Sequence, residues 1–267
     1  MTALLPTFEA GTAVLARRNP VAKLAAALLF SAPLVATLDP LTPALALAVE
    51  LAVLPLFGLG FGALARRAWP LVMAAAGVVV TLVLFAAERT GDTVANLGPF
   101  AVTTGVLWLA LGMALRIVAI ALPGVLVFAT TDPTDLADAL VQNARVPSRF
   151  AIGALAAFRL VPLLGHQWQL LGMARRARGL DAGRNPVAKL RLFGSTAFAL
   201  LVGAIRRGTR LAVAMDARGF DSGVPRTVAR RQAFRSPDTA LLIAAIALSA
   251  AILTASVVTG QFRPLIG

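Results

Sequence analysis

Twenty consecutive residues, Thr239 to Val258, carry no charged side chain. That is the length a helix needs to cross the ~30 Å hydrocarbon core of a bilayer. Four earlier runs are nearly as clean: residues 20–38, 41–59, 69–87 and 101–129. Asp39-Pro40 separates the first two runs, Arg66 and Arg67 precede Trp69 at the start of the third, and a polar stretch from Glu88 to Phe100 precedes the fourth. In lipid every backbone polar group must be satisfied internally, and uninterrupted apolar runs of this length do so as helices. With 58% hydrophobic and 14% charged residues, the chain reads as an all-α, polytopic membrane protein with about five transmembrane helices. Lys23 is the lone charge of the first run and lies near enough to its end to snorkel.

Charge fixes the orientation. From Arg145 to Arg235 there are seventeen Arg and Lys against three Asp, a balance of +14, while the whole chain carries +13. Arg17 with Arg18, Arg66 with Arg67 and this basic block mark one side; Asp39 and the Glu88-Arg89-Asp92 loop mark the other. The sides alternate as five spans require, which predicts a cytoplasmic N-terminus and a C-terminus outside. Residues 1–130 then form a four-span membrane part, 131–237 a cytoplasmic region, and 238–267 the last span.

Two charges fall inside runs, Glu50 in the second and Arg116 in the fourth. Both helices run from outside to inside, so the two residues are expected at similar depth. An isolated charge there costs several kcal/mol on some scales, roughly 3 on insertion scales. The expectation is a structural Glu50–Arg116 ion pair locking the second helix to the fourth; an ion or proton path is disfavoured, because no further intramembrane carboxylates continue a relay.

In the basic region, Thr131-Asp132-Pro133-Thr134-Asp135-Leu136 starts a short helix: Asp132 caps it, Pro133 suits its first turn and Asp135 complements its dipole. Two longer segments follow, Ser148 to Ala177 and Pro186 to Ala217. Both are too charged to span comfortably and too apolar to stand free in water. They read as long amphipathic helices lying on the inner membrane face or against each other.

Each ends on one phrase. Ala177-Arg178-Gly179-Leu180-Asp181-Ala182-Gly183 returns as Ala217-Arg218-Gly219-Phe220-Asp221-Ser222-Gly223. Composition alone predicts roughly 0.4 copies of Ala-Arg-Gly. Gly179 and Gly219 suit the left-handed residue that closes a helix, with Arg178 and Arg218 beside the negative end of its dipole. Capping accounts for Gly179 and Gly219 and tolerates the Arg, but leaves the shared Ala, Asp and second Gly unexplained; a paired, partner-facing device accounts for more. A second repeat, Arg18-Asn19-Pro20-Val21-Ala22-Lys23-Leu24 and Arg184-Asn185-Pro186-Val187-Ala188-Lys189-Leu190, precedes a helix both times, and a shared start signal suffices.

Several chemistries are excluded. There is no cysteine and His166 is the only histidine, so no His/Cys metal cluster, Ser-His-Asp triad or Cys-His pair can form within the chain. The lysines are Lys23 and Lys189; neither follows Gly nor precedes Ser or Thr, so no P-loop is present. Neither an Asp-rich diphosphate-metal motif nor a base-stacking platform is evident.

The four-span N-terminal part, the Thr131–Leu136 helix start, the Arg159-Leu160-Val161-Pro162-Leu163 stretch, the Arg18–Leu24 entry and above all the double Ala-Arg-Gly resemble the transmembrane T component of energy-coupling factor (ECF) transporters, over essentially the whole chain. The resemblance implies a non-enzymatic scaffold with a cytoplasmic pair of coupling helices. Two ABC-type ATPase subunits would bind it, carrying ATP and Mg on their own chains, with no cofactor here. Arg178 and Arg218 would dock in the two ATPases, and Ala177, Gly179, Ala217 and Gly219 would permit close approach. A separate small S component would capture a vitamin or transition-metal ion such as cobalt. Two other classes stand beside this reading. A self-sufficient secondary carrier would transport as a single chain, and a membrane-anchored binder of nucleic acid or anionic lipid would use total charge, with steep salt dependence.

Overall fold

The computed structural model describes residues 13–37, 39–86, 90–97, 100–220, 222 and 227–262. Glu88, Arg89, Asp221 and Gly223 of the sequence reading lie outside the described residues, as do the last residues of the first and third predicted spans. The chain divides into two units: Thr7–Arg145 with Gln232–Gly267, called the body below, and one holding Val146–Arg231.

The body is built from α1 (Pro20–Val35), α2 (Leu41–Val53, continued by a 3-10 turn at Leu54–Phe57), α3 (Phe61–Phe85), α4 (Thr104–Ala129), α5 (Pro133–Asn143) and α8 (Ser236–Val258). Local chemistry sets the starts. The Asn19 side chain accepts from the Val21 amide at 2.9 Å ahead of Pro20. Asp132 accepts from the Thr134 amide at 2.7 Å ahead of Pro133, as the sequence predicts. α4 packs against α1, α2 and α3, and α1 against α8. Small residues make these approaches close: Ala22, Ala46 and Ala119 are each 0% exposed. Phe30, Leu34, Ala245 and Ile252 fill one core cluster, and Leu54, Leu64, Leu122 and Leu126 another.

Four expectations shift. α3 starts at Phe61, because the 3-10 turn closes at left-handed Gly58 (φ +71°) and the chain re-enters a helix directly after Gly60. Arg66 and Arg67 therefore lie inside the helix. Ala101–Thr103 belong to strand β2 (Phe100–Thr103), paired antiparallel with β1 (Thr93–Leu97), so α4 begins at Thr104. Apart from this hairpin the described residues form helices and their connections. α8 begins at Ser236, three residues earlier than the uncharged run. Lys23 does not snorkel: it is 3% exposed, and its Nζ donates to the carbonyls of Ala16 at 3.2 Å and Thr130 at 2.9 Å. It thus supplies a cation at the carbonyl end of α4.

The second unit contains α6 (Ser148–Ala177) and α7 (Pro186–Ala217), with the ends the sequence predicts. Among the described residues, five helices are long and apolar enough to cross a membrane by length and composition: α3, α4, α6, α7 and α8. This is not the predicted set. α1 and α2 fall short of the length, whereas α6 and α7 meet it, because the arginines of the latter pair cluster and leave uncharged stretches between them.

Candidate coupling site

α6 and α7 hold each other through polar and aromatic contacts. Arg175 Nη1 donates to the Ser195 hydroxyl (2.7 Å), the Thr196 hydroxyl (2.6 Å) and the Leu192 carbonyl (3.1 Å). Arg207 Nη2 donates to Gln167 Oε1 at 2.9 Å, and the rings of Trp168 and Phe193 lie 5.1 Å apart. The Asn185 side chain caps α7 by accepting from the Val187 and Ala188 amides, repeating the role of Asn19 in α1. The recurrent Arg-Asn-Pro phrase is thus a helix start in both places. Beyond the contact, the two helices flank a cleft of about 870 Å³, lined by Leu155, Leu160, Leu211 and Met215, with Arg149 and Asp216 also on its wall.

The two Ala-Arg-Gly phrases close these helices in the same way. Ala177 and Ala217 are the last helical residues, Arg178 and Arg218 the C-caps, and Gly179 and Gly219 take φ +74° and +71°. The Gly179 amide donates to the Arg176 carbonyl (2.9 Å) and the Leu180 amide to the Arg175 carbonyl (3.0 Å). In the second copy the Gly219 amide donates to Asp216 (2.9 Å) and the Phe220 amide to Met215 (3.1 Å). Both are complete Schellman ends, which require a left-handed residue and favour an apolar one after it. This accounts for Gly and for Leu180 or Phe220. Among the described residues nothing lies within 4 Å of a Cβ placed on Gly179, so its backbone conformation demands glycine, not crowding.

Capping does not use the arginine side chains. Arg178 and Arg218 are exposed, and among the described residues neither guanidinium has a hydrogen-bond or ion-pair partner. Ala177 and Ala217 are exposed as well. Arg175, three residues before Arg178, spends its guanidinium on α7. Each helix end thus presents a five-donor cation flanked by small residues, suited to a bidentate carboxylate.

The Glu50–Arg116 ion pair does not form. Both are buried, at 6% and 9% exposure, yet among the described residues neither Glu50 oxygen has a hydrogen-bond partner, and Arg116 Nε and Nη2 have none either. Register is the reason. α2 and α4 run in the same direction, and Gly112 abuts Pro40: a Cβ on Gly112 would lie 3.4 Å from the Pro40 side chain. From that contact Glu50 lies ten residues further along its helix and Arg116 only four along its own. The offset is about 9 Å at 1.5 Å per residue. Glu50 instead lines an apolar cavity of about 340 Å³ with Lys23, Phe30 and Leu126. Arg116 is within electrostatic reach of Asp39.

In the sequence Asp39 marks a loop charge and, with Pro40, a break between runs; in the structure it also ties helices together. Its Oδ2 accepts from the Thr42 amide (2.8 Å), the Thr42 hydroxyl (2.6 Å) and the Ser256 hydroxyl (3.0 Å), tying α8 to the α1–α2 turn. Burial pushes its carboxyl up, but the bonds from Thr42 and Ser256 outweigh burial and hold it below its ordinary 3.8. Thr42 three residues on was the one local signal available; Ser256 is 217 residues away.

Comparison with known proteins decides the family. The family model described as CbiQ, cobalt transport protein, matches residues 11–228. The chain belongs to this family. It is 29% identical over 213 residues to the energy-coupling factor transporter transmembrane protein EcfT of Bacillus subtilis (strain 168), covering 74% of this chain and 80% of that one. It is 26% identical over 255 residues to EcfT of Streptococcus equi subsp. equi, covering 92% and 93%. A Bifidobacterium longum chain described as an ABC transporter ATP-binding protein is 27% identical over 173 residues, covering 62% of this chain and 22% of that one. The chain is thus the T component of an ECF transporter, a multi-pass membrane protein. The double Ala-Arg-Gly lies within the matched residues.

Proposed function

We propose that this T component is the non-enzymatic scaffold that couples two ABC-type ATPases to uptake of a vitamin or transition-metal ion captured by a separate S component. One observation carries the reading: two separate helices end in superimposable hydrogen-bond patterns, each leaving an exposed arginine unengaged by the described residues. Two like plugs suit a partner that offers two like sockets, as a pair of ATPases does. The Bifidobacterium longum relative adds support, since a chain described as ATP-binding contains a segment similar to this one.

The coupling helices carry the displacement. Residues 160–174 of α6 and 192–205 of α7 are free of Lys, Arg, Asp and Glu. Each uncharged stretch is about 21–23 Å long, less than the ~30 Å of hydrocarbon. We therefore place α6 and α7 at the cytoplasmic face, partly submerged, with the N-terminus on the same side. ATP-driven closure of the ATPases would bring the two arginine-bearing ends together, and rigid helices would pass the movement to the membrane.

The test is pull-down of the ATPase subunits by Arg178→Glu plus Arg218→Glu. A charge-assisted contact loses roughly 2–5 kcal/mol when one partner is removed, so the double reversal should weaken association at least ~100-fold. Membrane insertion should be unchanged, because the caps are made by backbone. Undiminished pull-down would overturn the proposal.

A further inference from the structure

The cleft of about 870 Å³ between the first half of α6 and the second half of α7 lies wholly within the 146–231 unit. Its walls are apolar apart from Arg149, Arg159, Arg207 and Asp216, three cations against one anion. Arg207 is fixed in place by its bond to Gln167, and Arg149 lies over the Phe150 ring, 5.1 Å from its centroid. Apolar walls edged with arginine are the recognition chemistry of an anionic amphiphile. Guanidinium suits a phosphate, and Leu155, Leu211 and Met215 suit a hydrocarbon chain.

Glycine keeps the walls of this cleft low. Gly153 of α6 and Gly208 of α7 both line it from helix interiors, where glycine weakens a helix relative to alanine. Among the described residues nothing lies within 4 Å of a Cβ placed on either, so no close approach asks for glycine there. The level of the cleft fits as well. It begins where the uncharged stretches 160–174 and 192–205 end, since Leu160 and Arg207 both line it, and it runs from there to Arg149 and Asp216. With those stretches submerged, the cleft spans the step from acyl chains to headgroups, where arginine stems lie along apolar surface and their charges reach the phosphates. A protein segment seated there would have to bring buried acids to answer three arginines. An anionic lipid carries its charge at the end of its chains and is already the surrounding solvent.

We propose that the α6–α7 cleft is a binding site for an anionic phospholipid of the cytoplasmic leaflet, its headgroup held by the cleft arginines and an acyl chain lying between the helices. The lipid fills the apolar gap in a pair joined mainly by the Arg175 and Arg207 hydrogen bonds and one aromatic contact. The inference rests on the membrane-face placement of α6 and α7 proposed above and is independent of ATPase docking.

The test is native mass spectrometry of the purified full chain, released from detergent containing equal amounts of phosphatidylglycerol and phosphatidylcholine with the same acyl chains. The parent should retain phosphatidylglycerol over phosphatidylcholine by about fivefold or more, the scale of one arginine at an anionic surface. Arg149→Gln should lower phosphatidylglycerol retention about fivefold, and Arg149→Lys should keep it, since a phosphate accepts a point charge. Arg206 is exposed and outside the cleft, so Arg206→Gln removes the same charge and should change nothing. Gly208→Leu keeps every charge, fits without a clash and should abolish retention by filling the cleft. Equal retention of the two lipids by the parent, equal losses in Arg149→Gln and Arg206→Gln, or parent-like retention in Gly208→Leu would each overturn the site. Loss of the lipid from the complex assembled with its partner subunits would assign the cleft to a protein segment and overturn it too. Placement is read separately. The chain has no cysteine, so Val228→Cys, at an exposed position, should react with a membrane-impermeant maleimide in inverted vesicles and not in right-side-out ones. Reaction from the outside only would reject the membrane-face placement, and the cytoplasmic leaflet with it, even where lipid selectivity is intact.

Discussion

The body and the α6–α7 unit are both made of helices, more apolar in the body, and bury them very differently. α4 has nine buried residues among 26, whereas α6 has only Ala151 among 30 and α7 only Thr196 among 32. Leu190 and Phe198 of α7 are 72% and 67% exposed, while Leu54 and Ala119 of the body are 0% exposed. The body has six helices with which to satisfy one another. α6 and α7 have each other, joined mainly by the Arg175 and Arg207 hydrogen bonds and one aromatic pair. An apolar helix pair left this open is built to be covered by lipid or by other subunits. The lesson is that the body holds its shape by its own contacts, and α6 and α7 leave apolar surface and charge exposed.

The largest expected effect probes the outward-facing side: the Arg178→Glu, Arg218→Glu pair should weaken the proposed ATPase association at least ~100-fold while the body's unfolding temperature stays put. The next breaks or keeps the packing contrast. Leu54→Ala should cost about 2–5 kcal/mol in detergent unfolding, and Leu190→Ala less than about 0.5 kcal/mol. Equal losses would mean that α7 is packed in the isolated chain and that the contrast is wrong.

Asp39 tests how the body is tied at the other end of its helices. Its folded pKa lies below the unfolded 3.8, so its contribution is complete above about pH 4 and is lost as pH falls through the folded value. Asp39→Asn should lower stability by about 1–2 kcal/mol at pH 7, the scale of hydrogen bonds to a charged acceptor. The gap to the parent should close in melts taken from pH 5 down to pH 3; a constant gap would show that the charge is not what Thr42 and Ser256 hold. The smallest effect concerns Glu50. An unpaired buried carboxylate contributes nothing as an ion, so Glu50→Gln should leave stability unchanged or raise it by about 1 kcal/mol. A loss of roughly 3–5 kcal/mol would instead reveal a pair with Arg116 after all.

Much of this is legible in the sequence. The ends of α6 and α7, the Asn19, Asn185 and Asp132 caps, and the left-handed glycines follow from residues within one turn of each other, and local chemistry is written locally. The double phrase was legible as a pair, and its apolar fourth residue now has a reason in the Schellman bond. What failed was depth. Counting along α2 and α4 put Glu50 and Arg116 together, because their relative register depends on the Gly112–Pro40 approach, which no single helix encodes. The start of α3 was missed because two arginines in its second turn read as a boundary. Their aliphatic stems can lie along a helix as readily as in a loop.

The sequence by itself determined that this chain is a helical membrane protein with two long helices finished by the same phrase, because chain length, charge spacing and capping act over a few residues. Only the tertiary structure decided which helices are covered, which buried charges meet, and that Asn19, Asp135, Gln142 and Gln232 converge on one point. Those outcomes depend on how helices slide and pack against one another. Hydrogen bonds between residues some 90 to 219 positions apart exist only once that packing has set their register.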